Sequence, residues 1–224
     1  MDFRFDIIYE YREMFWTGAK YTLGLTAFAV AVGTVLGLVG ALCRLANFEK
    51  GNIVLRTLGW FLRTVSLLYV TLFRGTPLFV QIFILHFIWS VALINPTDGW
   101  IISGELALEL RKEYGALIAG ALALSTNAGA YITEIFRAGI QSIDRGQVEA
   151  ARSLGLNYAQ AMRHVILPQA TRRMLPPFGN EFITLLKDSS LVSAIGVAEL
   201  PHVALTVSGL FPIYEEPYYP IALI

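Results

Sequence analysis

An all-α membrane protein of about five helical crossings, with its N-terminus outside, is the fold this sequence predicts, and three observations carry the prediction. The chain of 224 residues is 55% hydrophobic and only 15% charged, with a mean hydropathy of +0.58, whereas soluble domains carry about 25% charged residues. Apolar surface in that excess is hidden only in lipid. Charge-free runs long enough to cross a bilayer recur along the chain, and positive charge gathers in two short connections, which places both on the cytoplasmic side. The formal net charge is zero, so composition points to neither nucleic acid nor an anionic surface. Cys43 is the only cysteine, and neither a disulfide nor a cysteine-rich metal site is available. No secretory signal is evident, because residues 1–20 mix charges with aromatics and the first apolar run is too long for a signal-peptide core.

The first crossing is expected over 20–44. Tyr21 to Cys43 is 23 residues without a charge, enough at about 1.5 Å per residue for a hydrocarbon layer of about 30 Å. Gly33-x-x-x-Gly37 within it permits close helix approach, although such glycines are also ordinary in membrane spans. The next apolar stretch, 57–94, must be a single crossing if charge parity holds. Arg44, Lys50, Arg56 and Arg63 make the connection before it basic, as Arg137, Arg145, Arg152, Arg163, Arg172 and Arg173 do the later one. Two cytoplasmic connections need an even number of crossings between them, and 114–138 supplies the other. At 38 residues, 57–94 is too long for a straight span. An interfacial first part and a break at Gly75-Thr76-Pro77 are therefore expected, since proline disrupts the helix ladder.

The turn-rich Asn95-Pro96-Thr97-Asp98-Gly99 then lies outside, followed by a short external helix within 100–113 carrying Glu105, Glu109 and Arg111. A fourth crossing is expected over 174–198, an external polar stretch over 199–217, and an incomplete fifth crossing from 218 onward, with the last helix truncated. Tyr214, Tyr218 and Tyr219 read as an interface belt. The whole of 1–224 is thus one transmembrane domain with a cytoplasmic loop over 139–173.

That loop has a marked internal pattern. Asp144-Arg145-Gly146 reads as a turn, Gln147 to Leu154 as a short helix, and Gly155 as its cap. Ala150, Ala151 and Leu154 form an apolar patch with Glu149 and Arg152 beside it. Asn157 caps a second helix to about Val165, and Pro168 stops it. A small apolar knob flanked by charge suits a groove on a partner, and it equally suits an interfacial loop helix.

The residues themselves carry a resemblance. Glu149-Ala150-Ala151-x-x-x-Gly155, followed by Leu167-Pro168, resembles the EAA loop of ABC importer permeases, with Val165 where the family pattern has isoleucine. Arg74-Gly75-Thr76-Pro77-Leu78-Phe79-Val80-Gln81 is similar to the signature of the polar amino acid permease subfamily. The stretches from Ala130 to Ile140 and from Gly179 to Leu191 are similar to it as well. The resemblance covers most of the chain from residue 20 onward and is weakest over 95–113. It implies a type I ABC importer permease fold in a bacterial inner membrane, translocating amino acids by alternating access. It also implies partners: two ATPase subunits, a second permease subunit (identical or homologous), and an extracytoplasmic solute-binding protein. In the family the EAA loop is the coupling helix seated in a cleft of the ATPase, which assigns Glu149, Ala150, Ala151, Leu154, Gly155, Leu167 and Pro168 to coupling.

No Gly-x-x-x-x-Gly-Lys-Ser/Thr loop occurs in the sequence, so this chain lacks that device for cradling ATP phosphates. No bound cofactor is expected in it; ATP and Mg²⁺ belong on the partner ATPase. No nucleophile–base or metal-spacing constellation suggests an enzyme. A self-contained channel or secondary transporter is the alternative class, but it would favour an internal repeat and paired broken helices, and only one proline-broken segment is present.

A solute pathway needs polar groups that lipid would penalise. Asn127, Tyr131 and Glu134 recur at i, i+4, i+7 on one helix face, as do Asn180, Thr184 and Lys187. Arg74 flanks the break with Thr76 and Gln81, where freed backbone groups can meet a ligand. A guanidinium pairs bidentately with a carboxylate, so Arg74 is a candidate receptor for an α-carboxylate; its other reading is a topology anchor at the cytoplasmic interface. Glu134 with Arg137 reads as an interfacial pair rather than a ligand site. Lys187 with Asp188 reads either as a structural pair or as part of a gate. His86 reads as a hydrogen-bonded interior histidine.

Overall fold

The computed structural model describes residues 5–46, 52–211 and 216–223, and among these its regular elements are all helices, without a strand. A short helix α1, Phe5–Glu10, leads into α2, Arg12–Leu45, which begins well before Lys20. Helix α3 spans Ile53–Gly75 and α4 spans Leu78–Leu93. Helix α5, Glu105–Gln141, is followed by the nine-residue α6, Arg145–Ser153. Helix α7 runs Tyr158–Ile195 and finishes in a tighter 3₁₀ segment, Ser189–Ile195; α8 is Leu200–Leu210.

By length and hydropathy α2, α3 and α5 can each cross a membrane, and α7 with α8, bent by 53°, forms a possible fourth. The expected stretch 57–94 is therefore two helices, the first of which is long enough to cross alone. The break lies at Thr76-Pro77, as the proline implies. Pro77 has no N–H to give and drives Thr76 out of helical geometry; its own backbone is extended, with φ −63° and ψ 133°. The buried Gln81 repairs the gap, donating through Nε2 to the Thr76 carbonyl at 3.0 Å and to Thr76 Oγ1 at 2.9 Å.

Three other expectations are corrected. Glu105, Glu109 and Arg111 do not form a separate external helix: nothing between 105 and 141 breaks the helix, so they are the first turns of α5. Pro168 does not stop a helix, because α7 continues through it. A wide π-turn at Met162–Ile166 precedes it, with the Leu167 amide bonded to the Met162 carbonyl, and this shifts the backbone that the proline ring would strike. The stretch after 199 is not a polar loop but the apolar α8, with Pro201 in its first turn where a missing amide costs nothing. Residues 216–223 form a 3₁₀ helix in which Tyr218 and Tyr219 are partly exposed; Tyr214 lies outside the described residues. His86 sits in a π-turn of α4, edge-on to Phe87, and its buried Nδ1 has no hydrogen-bond partner among the described residues. The residue is half-buried rather than interior, and it is not hydrogen-bonded at that atom.

The chain packs into two compact units, one of residues 1–31, 76–125 and 184–224, the other of 32–75 and 126–183. The core of the first holds Ile7 and Phe15 against Leu200, Val203, Ala204 and Val207. A polar clasp fixes the start of α8 there. Glu199, fully buried, accepts from the His202 amide at 2.9 Å and from Thr22 Oγ1 at 3.4 Å, while the Leu200 amide donates to Thr22 Oγ1 at 3.1 Å. Thr22→Val keeps the shape and removes the hydroxyl, stranding a buried amide and weakening the carboxylate's support. It is expected to cost about 1–3 kcal/mol, read as a lower Tm in detergent, with Thr22→Ser close to the unaltered chain.

In the second unit α2 lies directly on α5. A side chain at Gly37 would strike Ile132, and one at Gly40 would strike Thr133. Gly37 thus serves a close approach, joined by Gly40, and the approach is within this chain. Gly40→Leu is expected to destabilise the purified protein by about 1–3 kcal/mol through overpacking, whereas Gly24→Ala, with nothing within 4 Å of the added carbon, leaves Tm unchanged. Helix α3 joins the same packing: Ser66 Oγ donates to the Gly40 carbonyl at 2.9 Å, and Tyr69 to the Thr126 carbonyl at 2.6 Å. Arg63 clamps the Ala46 carbonyl just past α2, with Nε at 2.7 Å and the second nitrogen also bonded, satisfying an orphan acceptor at that helix end.

Candidate coupling and pathway residues

The loop between α5 and α7 is built as a rigid elbow. Asp144 caps α6, accepting from the Gly146 amide at 2.6 Å. The expected turn at 144–146 is therefore a cap and a first helical turn, as an aspartate just before a helix favours. At the other end the Gly155 amide donates to the Arg152 carbonyl at 3.0 Å and the Leu156 amide to the Ala151 carbonyl at 3.1 Å, with Gly155 at φ +86°. That paired pattern is a Schellman closure, and it needs a residue at ease in the left-handed region. Two residues on, Asn157 and Gln160 form a reciprocal capping box, each bond 2.9 Å. The chain thus leaves one helix and enters the next with both ends closed.

Underneath, Ile143, Ile166 and Ala170 are buried, with Val148, Met162, Val165 and Met174 packed against them. Ala151 is buried as well, whereas Leu154 is 84% exposed. The three apolar residues therefore do not make one outward patch: Ala151 roots α6 in its own chain, and Leu154, with the exposed Tyr158, faces away from it. Glu149, Ala150, Gly155 and Pro168 are exposed, and Leu167 is 40% exposed. The elbow is fixed to α5 and α7 by further contacts. Arg173 bonds the Ser142 carbonyl, the Phe136 and Phe178 rings stack with centroids 6.3 Å apart, and a side chain at Gly139 would strike Met174.

The pathway candidates divide between the two units. In the second, three of them gather at the end of α3. Asn127, buried, donates to the Phe73 carbonyl at 3.2 Å, closing an acceptor freed by the break. Arg74, exposed, lies over the ring of Tyr131 at 5.0 Å, a cation–π contact. Asn180, in the same unit, is exposed on α7. In the first unit Gln81 and Thr76 bond to each other, and Thr184 and Lys187 are exposed on α7. Arg74, Asn180, Thr184 and Lys187 present accessible polar groups, while Asn127 and Gln81 spend amide groups on the backbone of their own break.

Sequence reasoning missed one group. Glu134 takes Arg137 on one oxygen, with Nε at 3.0 Å and a terminal nitrogen at 2.6 Å, and Arg44 of α2 on the other. The i, i+3 spacing with Arg137 was legible; the ninety-residue reach to Arg44 was not.

Comparison with known proteins places these features in a lineage. Residues 33–210 match the family model described as binding-protein-dependent transport system inner membrane component. The arginine transport system permease protein ArgU of Corynebacterium glutamicum is 37% identical over 180 residues, covering 80% of this chain and 52% of that one, so the chain spans about half that relative's length. The glutamine transport system permease protein GlnP of Escherichia coli K12 is 34% identical over 200 residues, covering 89% of this chain and 79% of that one. Among solved structures, an amino acid ABC transporter crystallised with histidines superposes with a TM-score of 0.73 at 37% identity, over all of this chain and 91% of that one. The inward-facing methionine transporter MetNI, at 23% identity and a TM-score of 0.66 over 95% of this chain and 88% of that one, shares the fold.

Proposed function

Since the chain belongs to the family of binding-protein-dependent transport system inner membrane components, we propose that it is the permease subunit through which an ABC importer passes polar amino acids across the bacterial inner membrane. The observation that carries the reading is the doubly capped elbow around Gly155. It presents Glu149 and Ala150 on a nine-residue helix, and Leu154 at its C-terminal cap, rooted in its own chain. A protrusion held that firmly transmits force, and a loose loop helix does not.

Two ATPase subunits hold ATP and Mg²⁺ and seat this elbow. A second permease subunit completes the passage, and an extracytoplasmic binding protein delivers the solute. Closure of the ATPase pair draws the elbows together and shifts the permease between outward-open and inward-open packings, each stabilised by the ligand that prefers it. The chain makes and breaks no covalent bond. Relatives named for arginine and glutamine transport support amino acids as the solute class. Arg74 offers the fork that a shared α-carboxylate would engage, with Thr76, Gln81, Asn127, Tyr131, Asn180, Thr184 and Lys187 supplying or supporting polar groups along the passage.

The deciding experiment is ATP hydrolysis in proteoliposomes holding permease, ATPase and binding protein, screened across amino acids. Stimulation by one or a few polar amino acids is expected. Uptake that persists without an ATPase would overturn the reading.

A further inference from the structure

We propose that Glu134 is the positioning residue that locks α2 and α3 to the coupling elbow, so that movement of the elbow carries α2, α3 and α5 with it. The inference rests on the function proposed above and goes beyond it, because it assigns transmission to residues outside the EAA loop.

A largely sheltered carboxylate stands at the centre of this junction. The Glu134 side chain is only 17% exposed, and its two oxygens are taken by two different arginines. An ion pair so sheltered is screened little by salt and is costly to break one-sidedly, since a charge is left without its counterpart. Of the two partners, Arg137 is local and Arg44 is not. Arg44 lies in the last turn of α2, so Glu134 joins α5 to the end of a helix through a residue ninety positions away in sequence. A third cation is near: Arg74, over Tyr131, acts on Glu134 through space.

Each side of the junction is tied onward. On the elbow side, Arg137 bonds Gln141, the last residue of α5, and the next residue, Ser142, accepts from Arg173 of α7. Ile143 then enters the core beneath α6. On the other side, the bond from Arg63 to Ala46 joins the end of α2 to α3, and Ser66 holds Gly40. Where α2 meets α5 there is little room to slide, since a carbon added at Gly37 or Gly40 would strike Ile132 or Thr133. Packed elements without slack move together or not at all. Glu134 is the one polar residue in this set that binds α2 and the elbow-bearing helix at once. The lock extends to Gly75, where α3 ends beside Arg74.

The test uses the complete transporter in proteoliposomes and measures solute taken up per ATP hydrolysed. Glu134→Gln keeps the size and removes the charge. It is expected to assemble with its partners and to lower uptake per ATP by about tenfold, within the range of ordinary coupling effects. Arg44→Gln is expected to do the same, the double variant to be no worse than either single one, and Arg44→Lys to recover most of the loss. That non-additivity separates one shared link from two independent supports. If Glu134→Gln fails to assemble, Arg44→Gln decides in its place, because it leaves the Glu134–Arg137 pair intact. Unchanged uptake per ATP in the assembled variants, or losses that simply multiply, would overturn the inference while leaving the importer reading in force. An unaltered complex that takes up solute without hydrolysing ATP would sink both.

Discussion

Gly155→Val will leave the protein inserted in the membrane and will lower solute uptake per ATP at least tenfold, the effect on coupling expected when the lever is bent. Gly155 holds φ +86°, and an L-residue with a Cβ carbon pays about 1–2 kcal/mol to enter that region. Valine, branched at that carbon, is among the least suited to it. The chain will relieve the strain by opening the closure between Leu156 and Ala151, which frees the end of α6 and rotates the exposed Leu154. No neighbour lies within 4 Å of the missing side chain, so size alone is harmless there. A graded series separates the two causes. Gly155→Asn, whose side chain tolerates left-handed backbone, retains most coupling; Gly155→Ala loses an intermediate share; Gly155→Val loses most. Uptake and ATP hydrolysis measured on the same proteoliposomes give the ratio directly. A valine variant that couples as well as the unaltered chain would show that the elbow's geometry does not transmit force.

The features that were legible in the sequence are those set by one residue's own backbone chemistry. Gly155 as a cap, Asn157 as a helix start and Pro77 as a break each follow from what that residue's backbone or side chain permits locally, and all three stand where expected. What escaped was settled by partners distant in sequence or by a competing local signal. The segment from 199 looked like an external loop because it carries prolines and a carboxylate. In the fold Pro201 opens a helix and Glu199 caps it, and the partner that makes the carboxylate tolerable is Thr22, far upstream. Pro168 looked like a stop, but the π-turn before it is a property of the bundle and leaves no periodicity to read. Charges at Glu105, Glu109 and Arg111 suggested an element outside the membrane. Charge alone does not end a helix, and backbone bonding continues unbroken through them. The Glu134 junction is the extreme case, because only packing of α2 on α5 brings Arg44 to it.

Arg74 will separate a receptor from an anchor. If its guanidinium receives the α-carboxylate of the passing amino acid, Arg74→Ala removes a pair of charge-assisted bonds together worth about 3 kcal/mol, which corresponds to a loss of roughly a hundredfold in uptake at limiting solute. Arg74→Lys keeps the charge but loses the planar fork and its stacking on Tyr131, so it will recover only a small part. An anchor at the membrane interface behaves otherwise, since lysine satisfies the positive-inside preference as well as arginine does, and Arg74→Lys would then transport normally. Tyr131 sharpens the distinction. Tyr131→Phe preserves the face under the guanidinium and should leave uptake within about twofold, whereas Tyr131→Ala removes the platform, a contact worth about 0.5–1 kcal/mol at exposed sites, and lets the fork wander. Two features support the receptor reading. The Phe73 carbonyl is already taken by Asn127 and the Thr76 carbonyl by Gln81, so the donors of Arg74 are not consumed in capping either. Arg74 is also exposed, unlike Arg44, whose side chain is mostly buried against Glu134. An arginine held over an aromatic face beside a proline break has its fork pre-oriented, and pre-orientation lowers the cost of engaging a carboxylate.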